Sequence, residues 1–240
     1  MNRQKLATSS VTEYNKQAFA SHRLNLKESR LKKIYRMILE EKPRNLLDIG
    51  CGNGDFSSLF IELGWKTYGI DLDACLIMQA KSKGVEACIH DISKGLPFED
   101  NFFGCVFAGE IIEHLVDTDF FIKEIFRVTK PSGCAIITTP NLASFENRIR
   151  ILLGIYPIWV NYRLEGVGHV RAYTPRVLKK QLMEHGFTIE EHKGNWVPFI
   201  PQRFLDDVKC PLLSITGNLF PNLSMDIIIK VRKRHEVING

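Results

Sequence analysis

Three glycines at alternate positions, in Leu46-Leu47-Asp48-Ile49-Gly50-Cys51-Gly52-Asn53-Gly54, are the part of this chain best suited to holding a ligand. An apolar burst ends around the acid Asp48, the glycines follow, and an amphipathic segment opens at Phe56. That order reads as buried strand, tight turn, helix. Glycine removes Cβ where a chain must turn sharply and where a ligand lies against bare backbone. In an α/β sheet the usual occupant of such a turn is a nucleotide-like cofactor. Further acids stand at Asp71, Asp91 and Glu110, and His114 follows shortly after. Carboxylates accept hydrogen bonds from hydroxyl and amine groups, and an imidazole takes a proton near neutral pH.

Those groups are useful only if the fold gathers them. Leu31, Ile34, Tyr35 and Ile38 repeat at the spacing of one buried helical stripe, which Pro43 ends. Strands are expected at Asn45–Ile49, Lys66–Ile70, Val85–Ile89, Phe103–Ala108 and Cys134–Thr138. Between them, Phe56, Leu59, Phe60 and Leu63 predict a helix closed by Gly64, and Phe121, Ile125 and Val128 another before the turn Lys130–Gly133. Strands alternating with helices imply βαβ units and a doubly wound, mostly parallel sheet. Right-handed crossovers then bring the strand C-termini to one edge. Asp71, Asp91, Glu110 and the glycine turn all lie at such ends.

After Pro140 the alternation breaks. Phe145, Ile149, Leu152 and Leu153 mark a helix within Asn141–Arg171, followed by an irregular stretch rich in glycine and aromatics. Packing of the apolar stripe from Phe145 to Val160 on the core, as a lid, is the expectation, with contact to a lipidic acceptor or a membrane surface as the alternative. Thr174-Pro175 starts a helix that ends at Gly186, and Phe187–His192 is a sixth strand. The run Ile227-Ile228-Ile229 does not alternate, so the last strand, within Ser224–Val231, is expected to be buried on both faces. The division expected is one domain over 1–240, with an N-terminal helical cap (about 1–42) and a lid or substrate insertion (about 142–173).

Composition narrows the class. The chain has 240 residues, a net charge of +5 and ordinary apolar and charged fractions. Lys230–His235 reads as a solvated strand end rather than a nucleic-acid grip. Cysteines 51, 75, 88, 105, 134 and 210 form no C-x-x-C pair, which argues against a zinc site or a disulfide framework and fits a reducing cytoplasm. No metal is expected from this pattern. No secretory leader is evident at the N-terminus, and Ile149–Val160 is too short and too broken to span a bilayer.

The glycine spacing is G-x-G-x-G, not the G-x-G-x-x-G of dinucleotide binding, and no G-K-[ST] follows. Asp48-Ile49-Gly50-Cys51-Gly52-Asn53-Gly54 resembles the D-x-G-x-G-x-G loop of class I S-adenosylmethionine-dependent methyltransferases. Gly69-Ile70-Asp71 resembles that family's second-strand acid, and Asp91-Ile92 with Leu96-Pro97-Phe98 its adenine segment. Glu110-Ile111-Ile112-Glu113-His114-Leu115 is similar to its E-x-x-E-H-L, and Arg127–Gly133 to its R-x-L-K-P-G-G turn. The likeness covers roughly residues 45–141 and departs at Phe103-Gly104, where the family commonly has Phe-Asp. It implies a Rossmann-like, seven-stranded, mostly parallel sheet with an antiparallel last strand. It also implies S-adenosyl-L-methionine as cofactor, held by Asp48, Gly50, Cys51, Gly52, Asn53, Gly54, Asp71, Leu72, Asp91, Ile92 and Glu110. In that reading Asp48 orients the loop near the ammonium, Asp71 accepts from the ribose hydroxyls, Leu72 packs on adenine, Asp91 accepts from its amine, and Ile92 donates its N–H.

Methyl transfer from a sulfonium needs alignment, exclusion of water and, for a hydroxyl acceptor, a base. The candidate base is His114, with Glu113 a weaker candidate that contacts substrate, caps the helix or is solvated. His169, in the segment after strand five, is a second candidate, and Tyr14, His22, Trp159, Tyr162, Arg163 and Tyr173 are candidates to line a lid. No N-P-P-Y or Pro-Cys stretch follows strand four, and no basic groove is evident, which disfavours nucleic acid. The resemblance points to the small-molecule branch that includes ubiquinone-type O-methyltransferases. The expected acceptor is a small molecule, or is linked to a lipid or glycan, and is methylated at oxygen. The alternative is a non-catalytic module that keeps the fold and acts through a partner. Oligomeric state is left open.

Overall fold

In the computed structural model the described residues are 28–160, 168–198 and 213–234. Most of the expected N-terminal cap, with Tyr14 and His22, lies outside them, as do Tyr162 and Arg163. The apolar runs form strands β1 (Asn45–Ile49), β2 (Lys66–Asp71), β3 (Glu86–Ile89), β4 (Phe103–Gly109), β5 (Thr129–Pro140), β6 (Phe187–Gly194) and β7 (Asp226–Lys233). Helices are α1 (Ser29–Leu39), α2 (Ala74–Ser82), α3 (Thr118–Val128), α4 (Phe145–Leu152), α5 (Pro175–Glu184) and α6 (Leu213–Leu219). The strands make one seven-stranded sheet in the order β3-β2-β1-β4-β5-β7-β6. β1 to β5 pair in parallel, and β7 runs antiparallel between β5 and β6. This is the doubly wound sheet with an antiparallel last strand that the sequence implied.

Period-two alternation divides the core between two faces. Leu47, Ile49, Ile227 and Ile229 pack with α3 and α5 residues such as Phe121, Ile125, Leu178 and Leu182. Leu46 and Ile228 face the other way, against Leu31, Ile34 and Ile38 of α1 with Phe60 and Trp65. The triple isoleucine of β7 is fully buried, as its lack of alternation predicted.

Two local readings change. The segment after the glycine turn is a short 3-10 turn at Ser57–Phe60, not an α-helix. Phe56 and Phe60 are buried but Leu59 and Leu63 face solvent, so only half of the apolar row has a core to grip. The turn Lys130–Gly133 lies inside β5, where pairing with β4 steps from Phe103↔Thr129 to Cys105↔Cys134. Gly104 has a packing reason, because a Cβ there would stand 2.7 Å from Cδ of Arg44.

α1 is fastened to the far side of the sheet by buried cations. Lys33 Nζ donates to the carbonyls of Gly194 (2.5 Å), Asn195 (2.9 Å) and Ser214 (2.7 Å). Removing that ammonium takes a charged donor from three carbonyls. Lys33→Met is therefore expected to lower unfolding stability by about 2–4 kcal/mol in urea titrations. The exposed control Arg36→Met should stay within about 0.5 kcal/mol of wild type.

Candidate active site

The glycine loop is stitched to the end of β2. Gly50 N–H and Cys51 N–H both donate to the Ile70 carbonyl, at 2.8 and 3.1 Å. The Asp71 carboxylate then divides its work: Oδ2 accepts Gly52 N–H at 3.0 Å and Oδ1 accepts Asp73 N–H at 3.0 Å. Asp73 in turn caps α2 by accepting from Cys75 and Leu76. One acid thus holds both the loop and the approach to the next helix, and each of its oxygens keeps a further lone pair.

Asp48 is buried in β1 and its carboxylate accepts the Ser57 hydroxyl. Burial pushes this carboxyl up to about 7, against the Ser57 hydrogen bond, and the Asp71 charge adds to the rise. Cys51 turns its thiol toward β2, where a Cβ on Gly69 would stand 2.6 Å from its sulfur. Its backbone, not its thiol, belongs to the loop. Asn53 spends its side chain on Asp55, at 2.9 Å. Asp91 caps the 3-10 turn Ile92–Lys94, its Oδ1 accepting both Ser93 N–H (3.0 Å) and Ser93 Oγ–H (2.7 Å). Leu72 and Ile92, half-buried, stand beside these acids.

The loop passes a simple fit test for a nucleoside-like cofactor. A Cβ on Gly54 would stand 2.9 Å from Ala80 Cα, so glycine there is fixed by α2 packing against the loop. A Cβ on Gly52 would meet nothing within 4 Å, although φ is +53°. The backbone at Gly52 therefore faces open space, as a ligand lying on bare backbone requires.

The second half of the site follows β4. Glu110 holds φ at +57°, uncommon for a residue with a side chain and most often found at functional turns. Its Oε1 accepts the Thr138 hydroxyl at 2.7 Å and lies 3.3 Å from Arg30 of α1. The Ile111 side chain crosses over Gly50, where a Cβ would lie 2.4 Å from Ile111 Cδ1, so this segment sits directly on the glycine loop. Next comes the 3-10 turn Ile112–His114. Against it lies the chain returning from the insertion, with Val170 N–H and Arg171 N–H donating to the Glu113 carbonyl at 2.9 and 3.0 Å.

That docking brings His169 against His114, their ring centroids 4.8 Å apart. His114 Nδ1 lies 3.2 Å from the Gly168 carbonyl and His169 Nδ1 2.8 Å from the Trp159 carbonyl. A carbonyl can only accept, so each Nδ1 carries the proton and each Nε2 is a lone-pair donor in the neutral ring. Both Nε2 atoms stand 3.9 Å from Oε1 of Glu113. Glu113 is 1% exposed and neither carboxyl oxygen has a hydrogen-bond partner. Burial, then the Glu110 charge, push its carboxyl well above the usual carboxylate range. Burial and His169 bring His114 down to about 4, and burial lowers His169. Burial thus favours the neutral form of both rings. A small cavity opens here, lined by Glu113, Thr139, Leu142, Trp159, His169 and Arg171.

Two readings from sequence are corrected. Glu113 is neither solvated nor a helix cap, since a 3-10 turn follows β4 and folds the carboxyl inward. The apolar stripe of the insertion does not pack on the core: Leu152 is 85% exposed, Leu153 66%, and Ile151, Ile155 and Tyr156 about half. His114 and His169 meet across 55 residues of sequence, and neither position carries a periodic signal that would pair them.

The family model of a methyltransferase domain matches residues 19–192. A demethylmenaquinone methyltransferase of Chlorobaculum parvum is 32% identical over 111 residues, 45% of this chain and 46% of that protein. A malonyl-[acyl-carrier protein] O-methyltransferase of Erwinia billingiae is 28% identical over 149 residues, 60% of this chain and 59% of that protein. The chain thus spans about half the length of the curated relatives it matches. Among solved structures, a SAM-dependent methyltransferase of Thermotoga maritima, described as a possible histamine N-methyltransferase, superposes with a TM-score of 0.63. It is 20% identical and the match covers 96% of this chain and 99% of that one, which shows the shared fold. With the loop, the acids and the sheet order in place, the chain belongs to the methyltransferase-domain family, as a class I S-adenosylmethionine-dependent member.

Proposed function

We propose that this chain transfers the methyl group of S-adenosylmethionine to a hydroxyl of a small acceptor that is free or carried on a lipid or glycan. The observation that carries this reading is the contact of the two half-sites: Ile111, one residue past Glu110, covers Gly50 of the glycine loop. The cradle and the imidazole pair therefore lie close together at one sheet edge. When bound, the cofactor supplies a methyl group already activated on a sulfonium. The chain's own work is to hold and orient. The Gly52 backbone and the free lone pairs of Asp71 would take the ribose side, and Asp91 with Ile92 the adenine. Hydrogen bonds to a charged acceptor such as Asp71 contribute about 1.5–3 kcal/mol each.

At the acceptor end His114, neutral and seated by Gly168, would take the hydroxyl proton through Nε2. Oxygen is favoured because Nε2 of a neutral imidazole can accept a hydroxyl proton. The relative named as an O-methyltransferase supports the same atom. The exposed apolar side chains of α4 and the residues after it favour an acceptor with a lipid portion. Among the described residues no helix is long and apolar enough to cross a membrane. A cytoplasmic site of action agrees with described cysteines that are all free.

Two measurements test the reading. Gly52→Ala is expected to keep the fold within about 1–2 kcal/mol, the cost of its backbone angle, and to weaken S-adenosylmethionine binding at least tenfold by calorimetry. Gly54→Ala meets α2 instead, and should cost about 2–4 kcal/mol of stability. Equal cofactor affinity in Gly52→Ala and wild type would remove the cradle from the account.

His114→Ala should leave cofactor affinity unchanged and lower turnover at least about tenfold, or roughly 1.4 kcal/mol in the barrier. Because the folded environment lowers the His114 pKa to about 4, the ring stays neutral as pH falls through 6.5. With the Asp48 carboxyl, which titrates near 7, removed by Asp48→Asn, turnover is expected to hold level down to about pH 5 and to fall only near pH 4. An acid limb at the ordinary histidine value would contradict the assignment.

A further inference from the structure

Burying a carboxyl without a hydrogen bond costs more than a fold tolerates for nothing. Glu113 is such a group: 1% exposed, neither oxygen within hydrogen-bond geometry of a partner, and Oε1 3.9 Å from Nε2 of two imidazoles. We propose that Glu113, His114 and His169 form a binding site for one divalent first-row transition-metal ion, of the class represented by Zn2+.

The donor atoms of the three residues all lie within 4.8 Å of one another. Ligand atoms bound at 2.0–2.1 Å around a tetrahedral ion stand about 3.3 Å apart, so the 3.9 Å separations close with small side-chain rotations. The histidines are arranged as metal-bound histidines are. Each gives its Nδ1–H to a backbone carbonyl, of Gly168 and of Trp159, which fixes the ring and presents Nε2. Glu110, the nearest other acid, is already engaged by Thr138 and Arg30 and stands outside the set. Two imidazoles and one carboxylate suit Zn2+, Fe2+ or Co2+ better than Mg2+ or Ca2+, which prefer all-oxygen sites. Three protein ligands leave a position open, as in catalytic rather than structural zinc sites.

The site stands on its own geometry, while its part in catalysis rests on the proposed transfer to oxygen. An acceptor hydroxyl in the open position would lose its proton to water more readily, because a bound cation lowers the pKa of a coordinated oxygen. The acceptor O–H bond breaks and its proton goes to solvent. The resulting oxygen then forms the O–C bond as the sulfonium S–C bond breaks and the thioether leaves. His114 then acts as a ligand, and the cation takes over what the free imidazole would do.

The test uses the full chain stripped with a chelator. Calorimetry with Zn2+ is expected to show one equivalent bound with Kd at or below about 1 μM. Glu113→Gln and His169→Gln should each weaken it at least tenfold, while His185→Ala, a surface control, should not. S-adenosylmethionine affinity measured on the same samples reports whether each variant is folded. Independently of any variant, pulsed electron paramagnetic resonance of wild type loaded with substoichiometric Cu2+ should show the remote nitrogens of two imidazoles. No Zn2+ binding at about 100 μM, unchanged affinity in folded variants, or fewer than two imidazoles would overturn the site. Full turnover on a hydroxylated acceptor in chelator sinks the metal's catalytic part and leaves the methyl-transfer reading standing. One bound Zn2+ with no transfer to hydroxylated acceptors sinks the oxygen reading and leaves the metal site standing.

Discussion

The two oxygens of Asp71 organise this molecule's functional edge. One holds the amide of Gly52 and the other the amide of Asp73, so a single carboxylate fixes the glycine loop relative to the start of α2. The parallel sheet makes this possible. β1 and β2 lie side by side with Ile49 opposite Ile70, so the turn after β1 and the acid ending β2 emerge together. An antiparallel pairing would have sent them to opposite edges. The cradle is thus a consequence of strand direction before it is a consequence of any one side chain.

From that edge the order of the sheet carries the site across to β4 and the insertion. Ile111 closes on Gly50, Glu113 turns inward, and the returning chain pairs with the Glu113 carbonyl to seat His169. A buried carboxyl with neither oxygen paired, set beside two imidazoles, weighs against stability, and such departures from good packing collect at functional sites. The rest of the fold compensates. The opposite side of the sheet carries lysines whose ammonium groups are fully engaged, as with Lys233 Nζ on Asn101, Phe126 and Thr129. Arg127 clamps the loop after the β3 edge through the carbonyls of Leu96 and Phe98. These cations are satisfied by carbonyls, whereas both oxygens of the Glu113 carboxyl are left open.

Local signals in the sequence were enough to place the strands, the glycine turn and the acids, because buried parallel strands are continuous apolar runs and turns demand glycine. The isoleucine run of β7 gave away its central place for the same reason. What failed was whatever depends on which surface a residue meets. Leu59 and Leu63 share the spacing of Phe56 and Phe60 but find no core. The stripe from Ile149 to Tyr156 has helical apolar spacing yet faces outward. Glu113 looked like any acid near a helix start, and only the tertiary pairing with Val170 and Arg171 reveals it as buried. Periodicity reports which residues share a face, not what that face touches.

A structure of the full chain with S-adenosylhomocysteine is the most direct test of the central claim, that the Asp71-held loop is the cofactor cradle. The account predicts the ribose hydroxyls on Asp71, the ligand backbone over Gly52, and the sulfur directed toward the His114–His169 pair. A ligand seated elsewhere on the sheet, or no binding at millimolar concentration, would contradict it.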